Sequence, residues 1–295
     1  MTVASPPSRT DEPAPVGARL QLSIAVSTHA AQFEAIAYKG DLESQLAEIA
    51  RLGFDGVELA IRDPAMIVAD ELVALVDACE LSVPAITTGQ AYTEEGLWLT
   101  SADAAVRRAA LARLESHLPL ASRLGAVVIV GLMAASSLDG QQPDVASEQL
   151  VAGLRSFSAS AAAAGVRVAL EPVNRYEGRL IRTVHEGLEL VARVDAENFG
   201  LLLDTFHMNI EEPSAGESIR AAGGRIFHFH VADSNRWYPG AGHIDFSAVL
   251  DALAATGYRG FVSGEFLPYP TATAAAERFL ATMRTVPVQL QGPGS

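Results

Sequence analysis

The chain has 295 residues, with 21 Lys+Arg against 35 Asp+Glu and a formal charge of −14 at pH 7. That length suits one α/β barrel of about 250 residues, and a hydrophobic content of 49% is not that of a disordered chain. The negative balance argues against a nucleic-acid partner, which needs a basic face for phosphates. Cys79 is the sole cysteine, which excludes an intrachain disulfide and a cysteine zinc cage. Lys39 is the sole lysine, so any Schiff-base chemistry would have to run through it. No run reaches the ~18 apolar residues of a membrane span. Residues 1–17, rich in Pro, Ser and Thr, lack an apolar signal core and read as a disordered leader. Residues 287–295 read as a disordered tail, 18–286 as the catalytic domain, and the expected location is cytoplasmic, with no membrane partner.

One pattern recurs along the chain. Short apolar runs at Leu20–Val26, Gly56–Ile61, Ser82–Ile86, Ala126–Leu132, Val166–Glu171, Phe199–Asp204, Ile226–Val231 and Gly260–Glu265 read as strands. Helical stretches follow them, beginning near Asp41, Ala65, Ala104, Val145, Val184, Glu217, Phe246 and Thr271. Leu42, Leu46, Ile49 and Ala50 show the three- and four-residue spacing of one helix face. Gly53 and Gly257 each end a helix just before a strand. Strict βα alternation with near-continuous apolar strands predicts a parallel sheet covered by helices, and eight units predict a single closed (β/α)8 TIM barrel. A doubly wound open sheet would want a glycine-rich phosphate turn after its first strand, and Val26-Ser27-Thr28-His29-Ala30 has no glycine.

Four of the strands end on metal-ligand residue types. Glu171, Asp204, His230 and Glu265 are spaced 33, 26 and 35 residues apart, each gap about one βα unit. Each therefore holds the same place in its own unit, and in a barrel those strand tips converge on one mouth. Two glutamates, one aspartate and one histidine make an oxygen-rich set suited to Mn²⁺, with Co²⁺ or Mg²⁺ next and zinc less favoured. A lone acid at a strand end is more often a helix N-cap, but four in register point to a shared site. His228, two residues before His230 and on the same strand face, reads as an interior hydrogen-bonding residue. His207 is placed on the loop after Asp204, and His243 on a turn.

The stretches Glu171–Glu177, Asp204–Glu212 and His228–Arg236 closely resemble the ketose 3-epimerases (tagatose and allulose type) of the xylose isomerase-like barrel superfamily. Gly89-Gln90-Ala91-Tyr92, Gly96-Leu97-Trp98-Leu99-Thr100 and the run Ala232–Gly240 continued to Gly242–Phe246 are nearer still to 5-keto-L-gluconate epimerases. The resemblance implies Glu171, Asp204, His230 and Glu265 as metal ligands, and Glu171 and Glu265 as the acid/base pair. It implies Glu177, His207 and Arg236 as sugar contacts, and a homodimer or homotetramer. One departure is Gly264-Glu265-Phe266-Leu267-Pro268, where many 3-epimerases place Pro-Phe directly after the glutamate, so their sugar preference does not carry over.

Such residues can epimerise the carbon beside a ketone. A proton leaves one face and returns to the other through an enediolate, whose charge a divalent Lewis acid stabilises by several kcal/mol, with two carboxylates as base and acid. Arg236, and more weakly Arg175 and Arg62, suggest a keto-sugar acid of the 5-keto-L-gluconate or D-tagaturonate type, because arginine forks match carboxylates. Neutral ketoses such as D-allulose and D-tagatose are the alternative substrates. A sugar isomerase, a keto-inositol isomerase or dehydratase, and a silent binding barrel are alternative functions. An abasic-site nuclease would need further His/Asp zinc ligands, and Ile86-Thr87-Thr88-Gly89-Gln90 has no histidine.

Overall fold

The computed structural model describes residues 19–30 and 33–286. The expected leader and tail lie outside the described residues. The chain opens with β1 (Leu22–Ser27), β2 (Tyr38–Lys39), α1 (Leu42–Leu52), β3 (Gly56–Ala60), α2 (Ala69–Ala78) and β4 (Ala85–Thr87). It continues through α3 (Gln90–Glu95), α4 (Ala104–Ser116), α5 (Leu118–Leu124), β5 (Val127–Val130), α6 (Leu132–Ala135), α7 (Pro143–Ala163) and β6 (Val168–Leu170). The last third holds α8 (Val184–Val194), β7 (Phe199–Asp204), α9 (Thr205–Glu211), α10 (Ala215–Ala222), β8 (Ile226–Val231), α11 (Phe246–Ala255), β9 (Val262–Gly264) and α12 (Ala272–Thr285).

All pairings are parallel, in the order β1-β3-β4-β5-β6-β7-β8-β9. β9 returns to β1 through Leu22↔Val262, Ser23↔Ser263 and Ile24↔Gly264 and closes an eight-stranded barrel. The two-residue β2 pairs with Val26 and Ser27, on the part of the β1 edge that short β9 leaves free. It carries the preceding loop, with Phe33 and Ile36, toward the mouth. Sequence periodicity does not reveal β2, nor the short mouth helices α3, α6 and α9, because each is under two turns long or nearly so.

Side-chain parity explains how the barrel aims its acids. Val128, Val130, Val168, Leu170, Leu201 and Leu203 belong to the main cluster under the helices, whereas Val127, Ile129, Ala169 and Leu202 form a separate cluster. Alternation with period two assigns that second set to the barrel interior. Continuing its parity carries Ala169 to Glu171 and Leu202 to Asp204, so the strand ends direct these carboxylates inward. The helices lock on by ordinary means. Thr183 and Glu186 form a capping box on α8, and Gly53 takes the left-handed conformation (φ 91°) that ends α1. No helix among the described residues is long and apolar enough to cross a membrane.

Candidate metal centre and pocket

The barrel mouth gathers the four strand-end residues into one cluster. Glu171 directly follows β6, Asp204 ends β7, His230 lies in β8 and Glu265 directly follows β9. Each contributes one candidate ligand atom, and these atoms lie within 4.8 Å of one another. His230 Nδ1 is 3.9 Å from Glu171 Oε1 and 3.8 Å from Glu265 Oε2. Glu171 Oε1 and His230 Nδ1 are buried and have no hydrogen-bond partner. Buried polar atoms are costly when unpaired. Two such atoms converging from different strands, within a mainly carboxylate set, fit a hard divalent cation.

Asp204 does two jobs. Its Oδ1 accepts the Phe206 backbone N–H at 2.8 Å and caps α9, while Oδ2 meets Arg236 Nη1 at 3.1 Å. The bland N-cap reading of an acid at a strand end is therefore true of one oxygen and leaves the other for the cluster.

Behind His230 stands a residue that the motifs do not mark. Glu58, in the middle of β3 and fully buried, accepts from His230 Nε2 at 2.8 Å and from His228 Nε2 at 2.8 Å. These bonds fix the His230 ring so that Nδ1 faces the quartet, an arrangement common behind metal-bound histidines. They also give His228 the interior hydrogen-bonding place expected of it. The available signal was an acid inside the fully buried strand Gly56-Val57-Glu58-Leu59-Ala60, because a buried carboxylate requires partners.

His207 is not on a loop, as expected, but on α9, whose first turn Asp204 caps. The cap starts a helix at once where sequence spacing shows only a strand end. Asn174, also missed, is buried and donates through Nδ2 to His207 Nδ1 at 2.7 Å and to Glu177 Oε1 at 2.8 Å. His207 Nδ1 is thus the acceptor. In the neutral ring the proton then sits on Nε2, 3.6 Å from Glu171 Oε1. Arg236 lies deep in the cluster, its guanidinium paired with both Asp204 and Glu265 and 4.5 Å over the Phe206 ring. Its backbone is left-handed (φ 63°), within a turn organised by buried Asp233. That carboxylate accepts the backbone N–H groups of Ser234, Gly240 and Ile244. Arg62 pairs with Glu94 and Glu95, and Arg175 with Glu211. His243 is exposed on a turn, as read from sequence.

A cavity opens beside the quartet. Glu171, Glu177, His207, Arg236 and Glu265 line one part of it, and Phe33, Ile36, Leu132, Val173 and Gln90 stand among its other walls.

A family model described as xylose isomerase-like TIM barrel matches residues 46–283. The chain belongs to this family. It is 35% identical over 243 residues to an L-ribulose 3-epimerase of Mesorhizobium japonicum, covering 81% of this chain and 80% of that protein. It superposes with a TM-score of 0.79 on a D-psicose 3-epimerase from Clostridium cellulolyticum solved with D-tagatose, at 27% identity over 92% of this chain and all of that one. A 3-keto-D-glucoside 4-epimerase from Escherichia coli gives a TM-score of 0.77 at 25% identity, covering 90% of this chain and all of the other. With such relatives, this xylose isomerase-like barrel is an enzyme of the isomerase class.

The electrostatics of this family member separate its carboxylates. Burial, and then the neighbouring Glu265 charge, raise Glu171 well above the ordinary carboxylate range. Burial pushes Glu265 up to about 7 against the pull of Arg236 and His230. Asp204 is equally buried, yet Arg236, His207 and His230 outweigh that and hold it below its usual value. Burial lowers His207 to about 4, which keeps the neutral ring. Burial would also depress His230, but the Glu58 carboxylate overrides it and raises the ring to about 10. The same pair, with His228, holds Glu58 below the usual range despite its burial. A cation at His230 Nδ1 would have to replace the proton there. A divalent cation held among them would draw both glutamates back toward the ionised form.

Proposed function

We propose that this chain is a divalent-metal-dependent epimerase that inverts the carbon beside the ketone of a sugar through an enediolate. The observation that carries the reading is the convergence of two partnerless buried atoms, Glu171 Oε1 and His230 Nδ1, with Asp204 and Glu265. Glu171, Asp204, His230 and Glu265 would hold the ion, for which Mn²⁺ is the first choice and Co²⁺ or Mg²⁺ the next. When bound, the ion supplies Lewis-acid stabilisation of negative charge on the substrate oxygens.

Glu171 and Glu265 come from the fifth and eighth barrel strands, so they reach a bound carbon from different directions. One removes the proton and the other returns one on the opposite face. His207 Nε2–H and the Arg236 guanidinium are donors toward the developing charge. Glu177, held by Asn174, accepts from a substrate hydroxyl.

Between a keto-sugar acid and a neutral ketose, the charge balance favours the neutral ketose. Arg236 is the only arginine or lysine among the described residues lining the cavity, and two carboxylates already engage it. Arg62 and Arg175, the other candidates for gripping a carboxylate, are paired with glutamates. The names of the L-ribulose and D-psicose 3-epimerase relatives support the same class.

The test is proton exchange. The Mn²⁺-loaded protein is incubated in D₂O with D-fructose, D-allulose, 5-keto-L-gluconate and D-tagaturonate, and the proton beside the ketone is followed by NMR. The neutral ketoses should exchange and yield the epimer rather than an aldose or a dehydrated product. Glu265→Gln should slow exchange about 100-fold or more. Unaltered exchange in that variant refutes the acid/base role, and exchange confined to the two acids refutes the substrate class.

A further inference from the structure

Among the described residues lining the cavity, two buried side-chain polar atoms lack a hydrogen-bond partner. One is Glu171 Oε1, already placed in the quartet. The other is Gln90 Oε1. Gln90 opens α3, just after β4, and is 3% exposed. Its Nε2 donates to Ser27 Oγ of β1 at 2.9 Å, which anchors the amide across the mouth. With the nitrogen held there, the oxygen has no donor in the protein, and the space beside the residue is the cavity. Its companions on these walls include the apolar Phe33, Ile36, Leu132 and Val173 and the hydroxyl-bearing Thr87 and Thr93.

We infer that Gln90 is a specificity residue whose amide oxygen accepts a hydrogen bond from one hydroxyl on the carbons of the substrate remote from its ketone. The inference rests on the proposed epimerase reading and deepens it. A fixed amide oxygen with no donor of its own rewards a hydroxyl, disfavours a carboxylate because its dipole points negative end outward, and leaves a deoxy carbon facing an unpaired oxygen. Sites built to pair a substrate hydroxyl discriminate strongly against analogues that lack it.

The experiment measures kcat/KM for deuterium exchange on D-fructose and its 4-, 5- and 6-deoxy analogues. It compares the Mn²⁺-loaded wild type with Gln90→Met and Gln90→Leu, normalised to folded protein by thermal melting. The wild type should disfavour one deoxy analogue by about tenfold or more relative to D-fructose. Both variants should bring that one ratio to within about twofold of unity, mainly through a raised KM on D-fructose, and leave the other two ratios unchanged. A uniform loss on all four sugars makes Gln90 a structural residue and overturns the inference, as does an unchanged set of ratios. Failure of the epimerase reading is recognised separately: the wild type itself then exchanges no ketose proton, and this inference falls with it.

Discussion

Gly131 shows how closely the pocket is fitted. It follows β5, and a Cβ added there would lie 2.5 Å from Glu171 Oε2, where ordinary van der Waals contact begins at 3.4 Å. Gly131→Ala therefore forces the Glu171 carboxylate back by about 1 Å, since the Glu171 backbone N–H is tied to the Val130 carbonyl at 3.1 Å and cannot follow freely. A displacement of that size in a reacting group costs about 100-fold in rate, or about 2.7 kcal/mol of transition-state stabilisation. The assay is kcat/KM for exchange of the proton beside the ketone, with a thermal melt to verify folding. Gly224→Ala is the control, because nothing lies within 4 Å of its added Cβ. If Gly131→Ala retains kcat/KM within about threefold while folded, Glu171 does not need its present position, and the reasoning from close approach to catalysis is wrong.

Glu58→Gln tests the support behind His230. The amide keeps one oxygen where both ring nitrogens now meet Oε2, but it turns an N–H toward His230 Nε2 in place of Oε1, which accepts at 3.0 Å, and it removes the negative charge behind the ring. We expect Mn²⁺ affinity, measured by titration calorimetry, to fall about 10- to 100-fold; an affinity within twofold of wild type would deny Glu58 its positioning role. His117 governs a separate, structural pH effect. It is fully buried between the carbonyls of Arg113 and Ile61, and burial holds it below its usual 6.5. Below that pH the unfolded chain takes up a proton that the folded one refuses. The stability is therefore complete above 6.5 and is lost as the pH falls toward the depressed folded value. Urea unfolding from about pH 5 to 8 should show a shallower acid-side slope for His117→Gln, by at most about 1.4 kcal/mol per pH unit. An unchanged slope would mean that the ring titrates normally in the fold.

Much of the site can be read along the chain because the barrel repeats itself. One βα unit per strand puts Glu171, Asp204, His230 and Glu265 at equivalent positions, and period-two alternation sends them all inward. Glu58, Asn174 and Gln90 escape such a reading for one reason: each meets at least one partner on a distant part of the chain. Glu58 meets histidines 170 and 172 residues away, and Gln90 meets Ser27 across 63 residues. Nothing local to Val57-Glu58-Leu59 says which of the other strands will face it. Arg236 is instructive in the same way. Its sequence position suggests a hand free to grip a substrate carboxylate, but the pairing of β9 with β8 brings Glu265 beside it and Asp204 comes from β7, so its charge is already engaged.

Local chemistry alone therefore determined the alternating elements, their glycine stops, the inward parity of the strand ends and the set of residues able to bind a metal. Those properties depend on neighbours a few positions apart, which any chain carries with it. The orphaned state of Glu171 and His230, the raised and lowered acids, the neutral His207 and the spare oxygen of Gln90 were decided only when the barrel closed. They depend on which groups share a buried interior, and that follows from distances across the fold rather than along the chain.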